Sequence, residues 1–202
     1  MKPLSHAERT EISELRMLRE ATKLILDVGT SKTTLKDVSI GAGYSHGLAS
    51  QRYGSKEGLF LALEEFHRKL WKEELDKYAA GQTGLQGLLA RIHAMEKTLE
   101  KEPDNVRAMY LLWFDSIGEY SELNKKLKRF NAGAKAAVAL YVKEGKKKGE
   151  IASSIKERDY AFKHVSEMFG MLYLWAASPD SVDICNAFKK FRQRTESELR
   201  IK

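Results

Sequence analysis

The chain has 202 residues, 43% of them hydrophobic and 31% charged, with a formal net charge of +7. That balance fits a soluble helical protein with a real core and excludes a disordered or fibrous chain. A single cysteine, Cys185, excludes an internal disulfide and suits a reducing cytoplasm, the expected location; the N-terminus lacks a signal-peptide core, and no apolar run approaches the about 20 residues of a membrane span.

In chain order, residues 8–29 predict a first helix, because Ile12, Leu15, Leu18, Ala21, Ile25 and Val28 recur at threes and fours. From Thr33 to Leu63 the pattern shortens. Thr34 is placed to cap a helix carrying Leu35, Val38 and Ala42, with Asp37 at the capping-box position. Gly43 stands where a helix end wants positive φ. Ser45 reads as a new N-cap for a helix from His46 to Tyr53. Gly54 ends that helix, and Ser55 caps the next. Two short helices joined by a glycine-containing turn form the helix-turn-helix pattern, whose second helix enters the DNA major groove.

Further on, helices are expected over 56–78, 87–101, 106–117, 121–148, 159–177 and 181–199, separated by Gly- and Pro-bearing breaks. The 106–117 segment is apolar nearly all round and belongs inside a bundle. The Lys-rich end at 143–149 complements a helix C-terminus and reads as a solvated end rather than a second DNA contact. No strand-like alternation or repeat occurs. The expected fold is all-α, with about nine helices: a three-helix helix-turn-helix domain over 1–55, then a helical regulatory and dimerisation bundle over 56–202.

The Thr33-Thr34 pair, the Ala42-Gly43-Tyr44-Ser45 turn, Gly47, Tyr53 and Ser55-Lys56-Glu57 with Leu59 resemble the DNA-binding domain of the tetracycline-repressor-like (TetR) family of bacterial regulators. The detailed resemblance covers roughly the first 65 residues; beyond them only length, helical content and layout match. In that family, residues matching Thr34, Ser45, Gly47, Ser50, Gln51 and Lys56 lie at the DNA surface. An aromatic residue and a histidine usually stand where this chain has Ser50 and Gln51. The resemblance implies a homodimer on a palindromic double-stranded DNA operator, released by a small-molecule effector bound in the C-terminal bundle. Repression is the family's usual mode.

From the residues themselves, the candidate DNA-contacting set is Thr34, Ser45, His46, Gly47, Ser50, Gln51, Arg52 and Lys56. Gln51 suits a bidentate pair with adenine. Arg52 suits guanine, a phosphate, or an ion pair with Asp37 or Glu57. Bulk charge does not carry this reading: residues 1–66 hold nine Lys/Arg and nine Asp/Glu. Candidate effector-pocket residues are Met95, Met109, Trp113, Ile117, Phe169 and Tyr173, adaptable lining for a hydrophobic or aromatic molecule. Phe162, Phe169, Trp175, Phe188 and Phe191 are candidates for the dimer seam, although core filling would use the same residue types.

Neither a cofactor nor a metal is expected. The glycine pattern Gly41-Ala42-Gly43 follows no strand, so it is no dinucleotide-binding turn, and His6, His46, His67, His93 and His164 have no ligand spacing. An enzyme is therefore not expected. The rival is an all-helical scaffold or protein-interaction module with a vestigial helix-turn-helix, for which the neutral N-terminal charge is the best support.

Overall fold

The structure is a computed structural model that describes residues 5–118 and 121–201. Among these residues nine α-helices and one 3-10 turn form, and no strand. The helices are α1 (His6–Val28), α2 (Leu35–Gly41), α3 (Leu48–Tyr53), α4 (Lys56–Ala79), α5 (Gly84–Lys101), α6 (Pro103–Asp115), α7 (Glu122–Lys147), α8 (Glu157–Ala177) and α9 (Ile184–Leu199). The protein is all-α, with an N-terminal helix-turn-helix domain and further helices after it. Packing divides the chain into two compact units that do not follow it in order. One holds residues 1–68 and 104–124, the other 69–103 and 125–202.

In the first unit, α1 starts with a full capping box. The Ser5 hydroxyl accepts from the Glu8 amide, and the Glu8 carboxylate accepts from the Ser5 amide at 2.7 Å. The predicted stripe is only partly buried: Leu18, Ala21 and Ile25 are inside, while Ile12 and Val28 are exposed. Met17 takes the inward place the stripe gave to its neighbours. Val38 of α2, Ala49 of α3 and Leu59 and Leu63 of α4 complete the layer.

Helix α6 belongs to this same unit and buries Met109, Leu112 and Trp113. It is tied to α1 by the Thr22 hydroxyl, which donates to Asn105 Oδ1 at 3.3 Å. The Thr30 hydroxyl also donates to the Asp115 carboxylate. Asn124 Nδ2 donates to the Ser116 carbonyl at 2.9 Å, so the start of α7 stays with the unit.

The second unit is built from α5, α7, α8 and α9 with the end of α4. Its apolar core combines Leu85, Leu88 and Leu89 with Ala134, Val138 and Val142, then Tyr160, Ala161, Val165 and Leu199. Gly84, at φ +64, opens α5, and Glu150 caps that turn by accepting from the Leu85 amide at 2.8 Å. A buried carboxylate, Glu96, accepts from Arg192 Nε at 2.7 Å and lies 3.1 Å from His93 Nδ1, joining α5 to α9 by charge as well as by packing.

Candidate nucleic-acid interface and regulatory crevice

The reader is a hydrogen-bonded frame with an exposed tip. Thr34 caps α2, as its spacing predicts: its hydroxyl accepts from the Asp37 amide at 3.1 Å. Asp37 reaches back to the Thr34 hydroxyl, which donates to its carboxylate at 2.6 Å, rather than to the backbone. Gly43 takes φ +82 in the turn.

Ser39 is the residue that sequence reasoning missed. It is fully buried, its hydroxyl donates to the Leu35 carbonyl at 3.0 Å and accepts from the Ala49 amide at 2.9 Å, and its carbonyl accepts from the Tyr44 amide at 2.9 Å. One small side chain thus fixes the angle between α2 and α3. A serine on the polar-to-apolar border of an amphipathic helix was the only available signal.

Several expected roles change. Ser45 does not cap α3; the cap position is Gly47, with no side-chain hydrogen bond, and the helix begins at Leu48. Arg52 does not face outward. Its Nη1 donates to the Thr10 carbonyl of α1 at 3.2 Å, so the guanidinium supports the frame, paired with neither Asp37 nor Glu57. Beside it, burial pushes the Tyr53 phenol up to about 12. Lys56 reaches the Ser31 carbonyl at 2.6 Å and lies 5.6 Å from the Phe60 ring centre, pinning the start of α4 to the loop before α2.

Gly58 is essential to that junction, since a Cβ there would lie 2.0 Å from the Tyr53 carbonyl oxygen. Ser45, His46, Gly47, Ser50 and Gln51 are all exposed, as is Thr34. Open space surrounds the Cα of Gly47. Exposed Lys32 and Lys36 flank them.

The six candidate pocket residues are divided between the two units. Met109 and Trp113 are buried in the first unit; Met95 is buried in the second and Phe169 half-buried there. Ile117 and Tyr173 are 63% and 55% exposed, because the apolar positions of their helices outnumber the inward-facing ones.

The second unit does contain a small crevice of about 20 Å³ among α4, α5, α7, α8 and α9. Trp71, Met95, Phe130, Met168 and Phe191 line it, with His164 as its buried polar member. Burial, assisted by Arg91 and Lys163, pushes the His164 imidazole down to about 3.

The expected dimer seam is also redrawn. Trp175, Phe188 and Phe191 are buried inside the second unit and unavailable to a partner. Phe162 is 65% exposed, and with Tyr173 and Leu174 it forms an outward apolar face on α8. No group of three or more His, Cys, Asp or Glu side chains among the described residues is arranged to hold a metal ion. No described helix is long and apolar enough to cross a membrane.

The fold is an N-terminal helix-turn-helix domain with further helices after it. Residues 17–63 match the model of the bacterial regulatory proteins of the tetR family. That match covers the helix-turn-helix part of the chain. It is similar in fold to the MbdR regulator of Azoarcus sp. CIB, at 21% identity over 94% of this chain and 100% of that one, with a TM-score of 0.77. It is also similar to NalD, the secondary repressor of the MexAB-OprM multidrug efflux pump in Pseudomonas aeruginosa (17% identity, 96% and 98% covered, TM-score 0.73). A third similar structure is a Saccharomonospora viridis chain in complex with choline (13% identity, 95% and 100% covered, TM-score 0.80). No curated protein matches the sequence.

Proposed function

We propose that this regulator represses transcription as a homodimer on a palindromic operator and leaves it when a small apolar or aromatic effector binds the second unit. The observation that carries the reading is the contrast inside the reader. Ser39, Arg52 and Lys56 are spent on holding the frame, whereas Ser45, His46, Gly47, Ser50 and Gln51 remain exposed at the start of α3. A recognition helix presents its N-terminal side chains in this way.

Gln51 supplies a bidentate base contact. Ser50, Ser45 and Thr34 serve phosphates, and bare Gly47 admits close approach. Lys56, already bound to the Ser31 carbonyl, shares its ammonium with a phosphate. The reader works in pairs, because one such unit with so few cations binds weakly. A two-fold dimer spaces two half-sites about 34–36 Å apart or at multiples of that. Phe162, Tyr173 and Leu174 supply the outward apolar surface for the dimer. The repressor named among the similar structures and the bound choline in another support repression and effector binding. Release is a population shift, requiring the effector to bind the DNA-incompetent form better.

The test is a mobility-shift titration against the duplex upstream of the protein's own gene. A sequence-specific, salt-sensitive shift supports the regulator; binding no stronger than to random duplex favours the scaffold reading.

A further inference from the structure

The crevice in the second unit has one chemically unsettled group. His164 is 5% exposed, and its Nδ1 is buried with no hydrogen-bond partner. A buried, unmade hydrogen bond costs about 1–3 kcal/mol, which a ligand completing it would recover. Apart from Arg91, the rest of the lining is apolar, with Trp71, Met95, Phe130, Met168 and Phe191 supplying aromatic and thioether surface. Flat rings and unbranched Met chains accept a flat apolar guest and repack around it.

The crevice also has a way in. A groove of about 650 Å³ runs between α8 and α9 on the outside of the same unit. It shares two residues with the crevice, His164 and Phe191, whose ring centres lie 4.7 Å apart. These two rings are the partition between outside and inside. The groove is bridged by Lys163 with Glu198 at 2.5 Å and by Arg194 with Glu167.

We infer that this crevice is the effector site, that the effector is a compact phenol entering past the His164–Phe191 partition, and that its hydroxyl donates to His164 Nδ1. This rests on the effector-released regulator proposed above and specifies its ligand. Three chemical classes fit less well. A hydrocarbon leaves Nδ1 unsatisfied. An organic cation meets the positive charge of Lys163 in the groove and of Arg91 in the crevice lining. A carboxylate would gain from Arg91, but it has no proton to give Nδ1 and sheds its water at a larger cost than a neutral hydroxyl.

Size makes binding regulatory. A void of 20 Å³ holds about one water, whereas apolar cavities that take a benzene-sized guest measure about 150 Å³. The closed form therefore cannot hold the effector. Phe191 and Met168 must shift, and the groove beyond Phe191 has room for that ring. The phenol selects the open form.

Isothermal titration calorimetry on the full chain without DNA tests this with three probes of one shape: 4-methylphenol, 4-methylanisole and 4-methylbenzoate. The expected result is one 4-methylphenol per chain, bound at least tenfold more tightly than the other two. His164→Leu should bring the phenol and the anisole to equal affinity, and His164→Asn should restore part of the preference. Phe191→Ala should speed association measured by Trp fluorescence without reversing the order of the probes. The circular dichroism melt of each variant separates failed binding from failed folding. Equal binding of phenol and anisole by the wild type overturns the hydroxyl contact. Tighter binding of the benzoate, or no heat from the phenol at millimolar concentration, overturns the ligand class. Because DNA is absent, these outcomes stand apart from the mobility shift: a protein that binds the phenol but no operator keeps this site and loses the regulator reading.

Discussion

The two units differ in where charge sits and in what holds them. The reader's unit carries 11 Lys/Arg against 13 Asp/Glu, while the other carries 24 against 15. The basic character of the chain therefore belongs to the unit that does not contain the reader. Residues 125–148 alone hold nine Lys/Arg and one acid. Their surplus is a solvated face on α7, which keeps a large apolar core soluble. The reader's unit depends on few, specific contacts, with Ser39, Arg52, Lys56 and Gly58 each fixing one junction. The second unit depends on volume, with Leu85, Leu88, Val138, Val142 and Val165 packed across three helices. A small frame that presents side chains to DNA needs orientation more than attraction at long range. A unit that admits a guest needs a deformable interior.

The largest expected effect concerns acid, and it strikes both units. Burial holds His67 of the first unit near 4 and His164 of the second near 3, both below the ordinary histidine value. The folded chain thus favours the neutral imidazole. Between that ordinary value and the depressed one the unfolded chain binds more protons, so stability is full above about pH 6.5 and falls as pH drops. The loss should reach roughly 3 kcal/mol from His67 alone by pH 4. His67→Leu should flatten the acid side of a denaturation series read by probes in the first unit, and His164→Leu the same for the second. If neither variant changes the slope between pH 6.5 and 4, these imidazoles are wetter than their packing indicates.

Gly58 and Gly145 sharpen the contrast between orientation and volume. A Cβ at Gly58 meets a backbone oxygen at 2.0 Å, whereas one at Gly145 meets the flexible end of Ile151 at 2.6 Å and backbone, the Leu85 nitrogen, only at 3.2 Å. Backbone cannot yield as a side-chain methyl can. Gly58→Ala should cost about 3 kcal/mol and Gly145→Ala about 1 kcal/mol in urea denaturation. Equal costs would erase the difference drawn here between the two kinds of packing.

Ser39→Ala should cost about 2 kcal/mol, because the Ala49 amide is left buried without an acceptor. It should also weaken operator binding beyond the loss of stability, measured at a temperature where the variant is folded. Unchanged affinity would mean that α3 keeps its pose without that bond.

What the sequence made legible is what neighbouring residues decide. The Thr34 cap and the positive φ of Gly43 are set within a few residues and came out as the spacing predicts, while the long helices formed where expected with starts shifted by up to three residues at α5, α6 and α9. The Ser45 cap failed for a local reason too, since α3 starts two residues later than its polar pattern implies. Arg52 was illegible because its partner is a carbonyl 42 residues earlier in the chain. Ser39 was illegible for a similar reason, as nothing near it indicates that the Ala49 amide needs an acceptor. Phe188 and Phe191 show a deeper limit. Helical periodicity says which side of α9 is apolar, not whether that side meets the chain's own core or a second copy, and here the core takes both rings.

The smallest expected effect separates two kinds of contact at the reader. Gln51 is exposed at α3, so Gln51→Ala should lose about 1–3 kcal/mol at one base pair of each half-site and leave other positions unchanged. Lys56 is held by the Ser31 carbonyl, so its ammonium has a fixed place and suits a phosphate rather than a base. Lys56→Gln should weaken binding to all sequences alike and lower the slope of log affinity against log salt by about 1 for each phosphate it no longer neutralises. The two variants must therefore differ in kind rather than in size. If both lowered affinity uniformly across a randomised operator library, Gln51 would touch the DNA backbone as Lys56 does, and sequence discrimination would have to come from His46 or from the shape of the duplex.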